Sequence, residues 1–184
     1  MSTRQLPARR AADSHRVRGI GAARAGDAVA ARAEKNRLDA LRAAATVPYW
    51  AEQIGIQADV VGALALCADG NAEGCIAALR LAAVREDATE KHVVTPGPIL
   101  PTRELLADVL LLDGQPAAAV QEYMTVLDKE PNRYRAVAGA MRAAVLSGDP
   151  HAARGFAGHL VRQSVNADMD RTSLAQARVM IDNQ

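Results

Sequence analysis

Four glycines constrain this chain more than anything else in it. Gly26-Asp27, Gly70-Asn71, Gly114-Gln115 and Gly148-Asp149 each follow one alanine- or leucine-rich run and precede another, at intervals of 44, 44 and 34 residues. The residue just past a helix C-terminus often takes positive φ, which glycine adopts without steric cost. The polar residue behind the glycine is suited to open the next helix. Repetition at such intervals signals an array of helical hairpins. Composition agrees: 40 of the 184 residues are alanine, only 3% are aromatic, and few β-branched runs alternate with period two. The expected class is all-α.

The shortest interval fixes a register. Around Gly114, small Ala107 lies seven residues before the turn, Ala119 five after, Tyr123 nine after and Pro131 seventeen after. Small residues let two helices approach, the ring fills the space beside them, and the proline ends the unit. Met141, Ala153, Ala157 and Leu160 take the corresponding places around Gly148. Around Gly70 they are Ala63, Cys75, Leu79 and Ala82. Around Gly26 they are Gly19, Ala31, Lys35 and Leu38, where Lys35 stands in a bulky apolar position. The helix pairs are expected at 13–25 and 28–45, 48–69 and 72–86, 101–113 and 116–129, 132–147 and 150–164. A last helix at 170–182 would cover the open end with Leu174, Ala177, Val179 and Ile181.

Two intervals hold about ten extra residues. The first is taken up around VPYWAEQIGIQ, Val47 to Gln57, where Tyr49 and Trp50 are either packing residues or a ligand anchor. The second lies in EDATEKHVVTPGPILPTRE, Glu86 to Glu104, where Pro96, Pro98 and Pro101 forbid a continuous helix. That segment gathers Glu86, Glu90 and His92, ligand types for a divalent metal in a spacing that is no established tight-binding pattern.

Other chemistries find little support. The net charge is +1, and the only basic cluster is Arg4, Arg9, Arg10, Arg16 and Arg18, read as a solvated tail rather than a nucleic-acid footprint. No run of about 18 apolar residues calls for a membrane span, and no apolar leader opens the chain as written. Cys67 and Cys75 do not form a C-x-x-C pair, and buried free thiols are expected. GIGAARAG, Gly19 to Gly26, lacks a preceding strand and the phosphate-loop Lys-Ser/Thr pair. No Ser-His-Asp, Cys-His or H-E-x-x-H arrangement occurs, so no catalytic residue and no cofactor is assigned.

The glycine-centred register resembles the tetratricopeptide repeat. The resemblance implies a right-handed α-solenoid of about four hairpins over residues 14–184, with a C-terminal capping helix and a disordered tail at 1–13. GAARAGDAVAARAE (21–34), YWAEQIGIQ (49–57), REDATEKHVVTPGPILPTRELL (85–106) and KEPNRYRAVAGAMRAA (129–144) further resemble the C-terminal part of longer bacterial tetratricopeptide-repeat proteins of uncharacterised function. That likeness implies a fragment or shortened relative, and a periplasmic setting where the chain as written suggests a cytoplasmic one.

Three functions stand side by side. The first is a non-enzymatic scaffold whose concave groove binds a protein or peptide through Glu52, Gln53, Asp59, Arg103, Glu104, Asp108, Arg135 and Arg142. Arg103, Arg133, Arg135 and Arg142 would favour an acidic partner, whereas Glu104 and Asp108 would repel a terminal carboxylate. The second is a metal-binding or hydrolase fragment centred on Glu86, Glu90 and His92. The third is a module that self-associates through an open N-terminal end, forming a homodimer.

Overall fold

The structure is a computed structural model and describes residues 5–89, 100–167 and 171–182, with side chains from Arg10 onward. Among the described residues it is all-α: α1 (Gln5–Arg24), α2 (Ala28–Ala44), α3 (Pro48–Ala68), α4 (Ala72–Ala88), α5 (Thr102–Leu112), α6 (Pro116–Lys129), α7 (Tyr134–Leu146), α8 (Pro150–Gln163) and α9 (Thr172–Asp182). They fall into two compact units, Met1–Thr102 and Arg103–Gln184.

The four glycines make the same turn. Their φ angles are +80°, +82°, +75° and +75°, and no other described residue has positive φ. In each case the amide after the glycine reaches back five residues: Asp27 to Ala22, Asn71 to Leu66, Gln115 to Leu110 and Asp149 to Ala144, at 2.8–3.0 Å. The glycine amide itself bonds three residues back. This is the Schellman arrangement, which satisfies carbonyls that a helix end would otherwise leave open. The next helix then starts on a side-chain cap from Asp27, Asn71 or Asp149 to the amide three residues on. Gln115 gives no such cap, and Pro116 opens α6 instead.

The register positions are the core. Ala31, Leu38, Ala63, Cys75, Leu79, Ala82, Ala107, Ala119, Tyr123, Met141, Ala153, Ala157 and Leu160 are all buried. In the first unit α3 packs against α1, α2 and α4. That central position accounts for its length and apolar character, which by composition alone would suit a membrane span. In the second unit α7 packs on α6 and α8, and α9 closes α8. Leu174 and Ala177 join Val137, Met141, Ala157 and Leu160 in one cluster, with Met180 and Ile181 at its edge. Val179 is 59% exposed and takes no part in covering that end, contrary to expectation.

Lys35, the misfit of the register, has a physical reason. A Cβ added at Gly62 would lie 3.0 Å from the Lys35 Cδ and Cε atoms, so the aliphatic stem of Lys35 runs over a glycine on α3. Its ammonium group leaves the contact to pair with Asp39 at 2.6 Å. Arg42 lies in the same way over Gly55. In the second unit the Tyr123 ring sits on Gly139, where a Cβ would be 2.4 Å from Cζ. The first hairpin thus uses a lysine stem where the third uses a tyrosine ring.

Three expectations change. The two cysteines are joined as a disulfide across the α3–α4 turn, with Cα atoms 5.2 Å apart, and are not free thiols. Cys67 stands three residues before the turn glycine and Cys75 five after it, so antiparallel helices bring them face to face. The expected tail is largely helix, since α1 begins at Gln5 and Ala12 is fully buried. Arg16 belongs to no solvated cluster either: it is 9% exposed, and its Nη2 donates to the Leu100 carbonyl at 2.6 Å.

Candidate partner-binding surface

Most of the residues expected to face a partner are held in ion pairs within the chain. Glu52 and Asp59 are seven residues apart on α3 and therefore share a face. Arg85 of α4 reaches both. Its Nε and Nη2 donate to Glu52 at 3.0 and 2.8 Å, and its Nη1 pairs with Asp59. The hydrogen bonds that Arg85 donates to Glu52 hold the guanidinium above its ordinary pKa, against the opposing effect of burial.

The second network lies in the other unit. Glu104 and Asp108 are four residues apart on α5, and Glu104 is completely buried. Arg133 and Arg135, flanking the start of α7, both pair with Glu104. Arg133 also holds Glu130 at 3.1 Å, and Arg135 also pairs with Asp108. Asp108 Oδ1 accepts the Tyr123 hydroxyl at 2.7 Å. Burial, and then the negative Asp108, push the Tyr123 phenol far above its ordinary pKa. Arg103 closes a separate pair with Glu122 at 2.6 Å. A buried carboxylate between two guanidiniums is costly to desolvate and costlier to break, so this cluster fixes the register of α5 against α7. Of the residues expected to bind a partner, Arg142 is exposed on α7.

Of the expected metal ligands only Glu86 lies among the described residues. Glu90 and His92 lie outside them. The Glu86 carboxylate accepts the Thr102 amide at 2.6 Å. Burial raises its pKa, opposed by that amide and by the charge of Arg16. No group of three His, Cys, Asp or Glu side chains among the described residues is placed to hold a metal ion.

One cluster went unforeseen in the sequence. Glu34 on α2 is 7% exposed and gathers three partners. Its Oε2 lies 2.6 Å from His15 Nδ1 and 3.4 Å from Arg18 Nε, and its Oε1 pairs with Arg37. Arg18 Nη2 is also 2.8 Å from His15 Nδ1. An arginine only donates and a carboxylate only accepts. The one ring nitrogen therefore serves either Arg18 or Glu34, according to its protonation. Burial would raise the Glu34 pKa, but hydrogen bonds from His15 and Arg18 and the charges of Arg18 and Arg37 outweigh it and hold it low. Opposite, Gly19 meets both Glu34 Cβ and Val61, so α1 packs closely here.

An open cavity of about 440 Å³ lies in the second unit, lined by Asn132, Tyr134, Gln163, Ser164, Ala167 and Arg171. The Arg171 guanidinium stacks 4.5 Å from the Tyr134 ring centroid. Among the described residues the lining carries the hydroxyls of Tyr134 and Ser164 but no carboxylate, histidine or thiol. Comparison with protein-family models, curated proteins and solved structures finds no match for this chain.

Proposed function

We propose that this chain is a tetratricopeptide-like scaffold, a right-handed solenoid of four hairpins capped by α9, that binds a protein or peptide and performs no catalysis. One observation carries the reading. The same glycine turn occurs four times, and the positions seven before and five, nine and twelve after it are buried in all four hairpins except at Lys35. A repeated hairpin of this kind has one helix face to spare for a partner. The Cys67–Cys75 bond supports a further part of the proposal, that the chain works in an oxidising compartment such as a periplasm, where disulfides persist.

The test is to replace Arg142 with a photo-crosslinking residue, express the protein in its own host, irradiate, and identify adducts by mass spectrometry. A discrete heterologous adduct at position 142, absent when the crosslinker replaces exposed Arg154 of α8, is the expected result. An adduct of twice the chain mass would replace the scaffold reading by self-association. No adduct distinct from the position-154 control would refute binding through this face.

A further inference from the structure

Charge is unevenly divided along the chain. Residues 1–46 carry ten basic side chains against four acidic, a net of +6, while residues 47–184 carry twelve against seventeen, a net of −5. Of the four arginines expected to attract an acidic partner, Arg103, Arg133 and Arg135 are neutralised by Glu122, Glu104, Glu130 and Asp108, and Arg142 is exposed on α7. The positive excess lies instead on the α1–α2 hairpin. Arg10, Arg18 and Arg24 are exposed within about one-third of the helix circumference of α1, around Val17, which is 66% exposed. Arg37 of α2 joins them through the shared Glu34, where two guanidiniums with exposed fractions of 56% and 57% meet a single carboxylate. Arg10 makes no ion pair among the described residues.

We propose that this face of the α1–α2 hairpin docks an acidic protein segment, with Arg10, Arg18 and Arg37 as its cationic contacts. The inference rests on the scaffold reading and names the chemistry of the partner and the place it binds. Charge complementarity selects an acidic occupant. The choice of protein over other polyanions comes from what the face lacks. Residues 1–46 contain no Phe, Trp or Tyr, so the hairpin offers no platform for stacked bases. Among its described side chains the large exposed apolar ones are Val17 and Val29, too few for a helix face that inserts among acyl chains. Guanidiniums braced by a buried carboxylate are held ready to fork onto side-chain carboxylates.

The experiment is a titration of the uniformly ¹⁵N-labelled full chain, under non-oxidant, non-reducing conditions, with an acetylated decaglutamate peptide, followed by amide shifts. Shifts are expected at amides of α1 and α2 and not of α7, and they should fade at high salt. Arg10→Ala/Arg18→Ala should weaken binding about three- to tenfold, the scale of two exposed ion pairs. Arg154→Ala/Arg162→Ala on α8 should leave it unchanged, and thermal melts check that both variants fold. Parallel titrations use decathymidylate and phosphatidylserine vesicles. Tighter binding of either at α1–α2 would overturn the assignment to an acidic protein. No binding, or shifts confined to α7, would overturn the face itself while leaving the scaffold reading standing. Peptide binding at α1–α2 with no specific crosslink at position 142 would keep this face and discard binding through the face at Arg142.

Discussion

Reducing the Cys67–Cys75 bond should cost measurable stability. The bond closes a loop of nine residues around the α3–α4 turn, since the cysteines are eight apart in sequence. On the chain-entropy account such a loop contributes about 2.5 kcal/mol at 25 °C by restricting the unfolded chain. If the whole chain unfolds as one, the midpoint should fall by about 5–10 °C, at about 2–4 °C per kcal/mol for a chain of this size. If the first unit melts separately, its own transition should fall by about twice that, because a smaller unit has a smaller unfolding entropy. Reduction is cleaner than substitution, because Cys75 is fully buried and a replacement would disturb its packing. The assay is a calorimetric melt of the same preparation with and without a phosphine reductant, with thiols titrated in the unfolded, unreduced protein. Two free thiols, or midpoints agreeing within about 2 °C, a small part of the expected shift, would refute the reasoning.

Three further outcomes follow from the packing. Glu104→Ala leaves Arg133 and Arg135 facing a hole and should cost about 3–5 kcal/mol in urea unfolding; Glu130→Ala, at the partly exposed end of the same network, should cost about 1 kcal/mol or less. Gly139→Ala drives a methyl group into the Tyr123 ring and should cost about 1–3 kcal/mol by the same assay; an unchanged midpoint would refute the close approach. Glu34 is held below its ordinary carboxyl value of 4.5. A depressed folded pKa gives stability that is present above the unfolded pKa and lost as pH falls. The wild-type melting temperature should therefore drop more steeply than that of Glu34→Gln below about pH 5, and parallel curves would refute the assignment.

How much was visible in advance depended on whether a feature is local. The turns were legible because six consecutive residues contain the whole device: a glycine, its polar successor and the carbonyls behind them. The register positions were legible because burial repeats with them. Lys35 looked wrong only because its partner, Gly62, lies on another helix. The ion pairs were hidden for a similar reason: Glu52 and Asp59 mark a polar face in sequence, but nothing near them announces Arg85. The disulfide left a readable trace, two cysteines flanking a turn glycine at three and five residues. A C-x-x-C pattern is not the only spacing that allows a bond, because a helical hairpin brings residues eight apart face to face. The Glu34 cluster was the hardest to anticipate, since a glutamate on an alanine-rich helix reads as solvated until His15, Arg18 and Arg37 are set around it.

Because each turn is complete within a few residues, it does not record how long its helices are. α2 and α3 have 17 and 21 residues where their counterparts α6 and α7 have 14 and 13, yet all are joined by turns of one geometry. That difference, eleven residues, more than covers the ten-residue gap between the first interval and the last, the connection between the helices being one residue shorter in the first. At 1.5 Å per residue α3 is about 31 Å tall and α7 about 20 Å. Helix length and the connection between helices are thus independent variables in this architecture. Inserting about one helical turn, three or four residues, on each side of a glycine lengthens the hairpin without redesigning the turn that closes it.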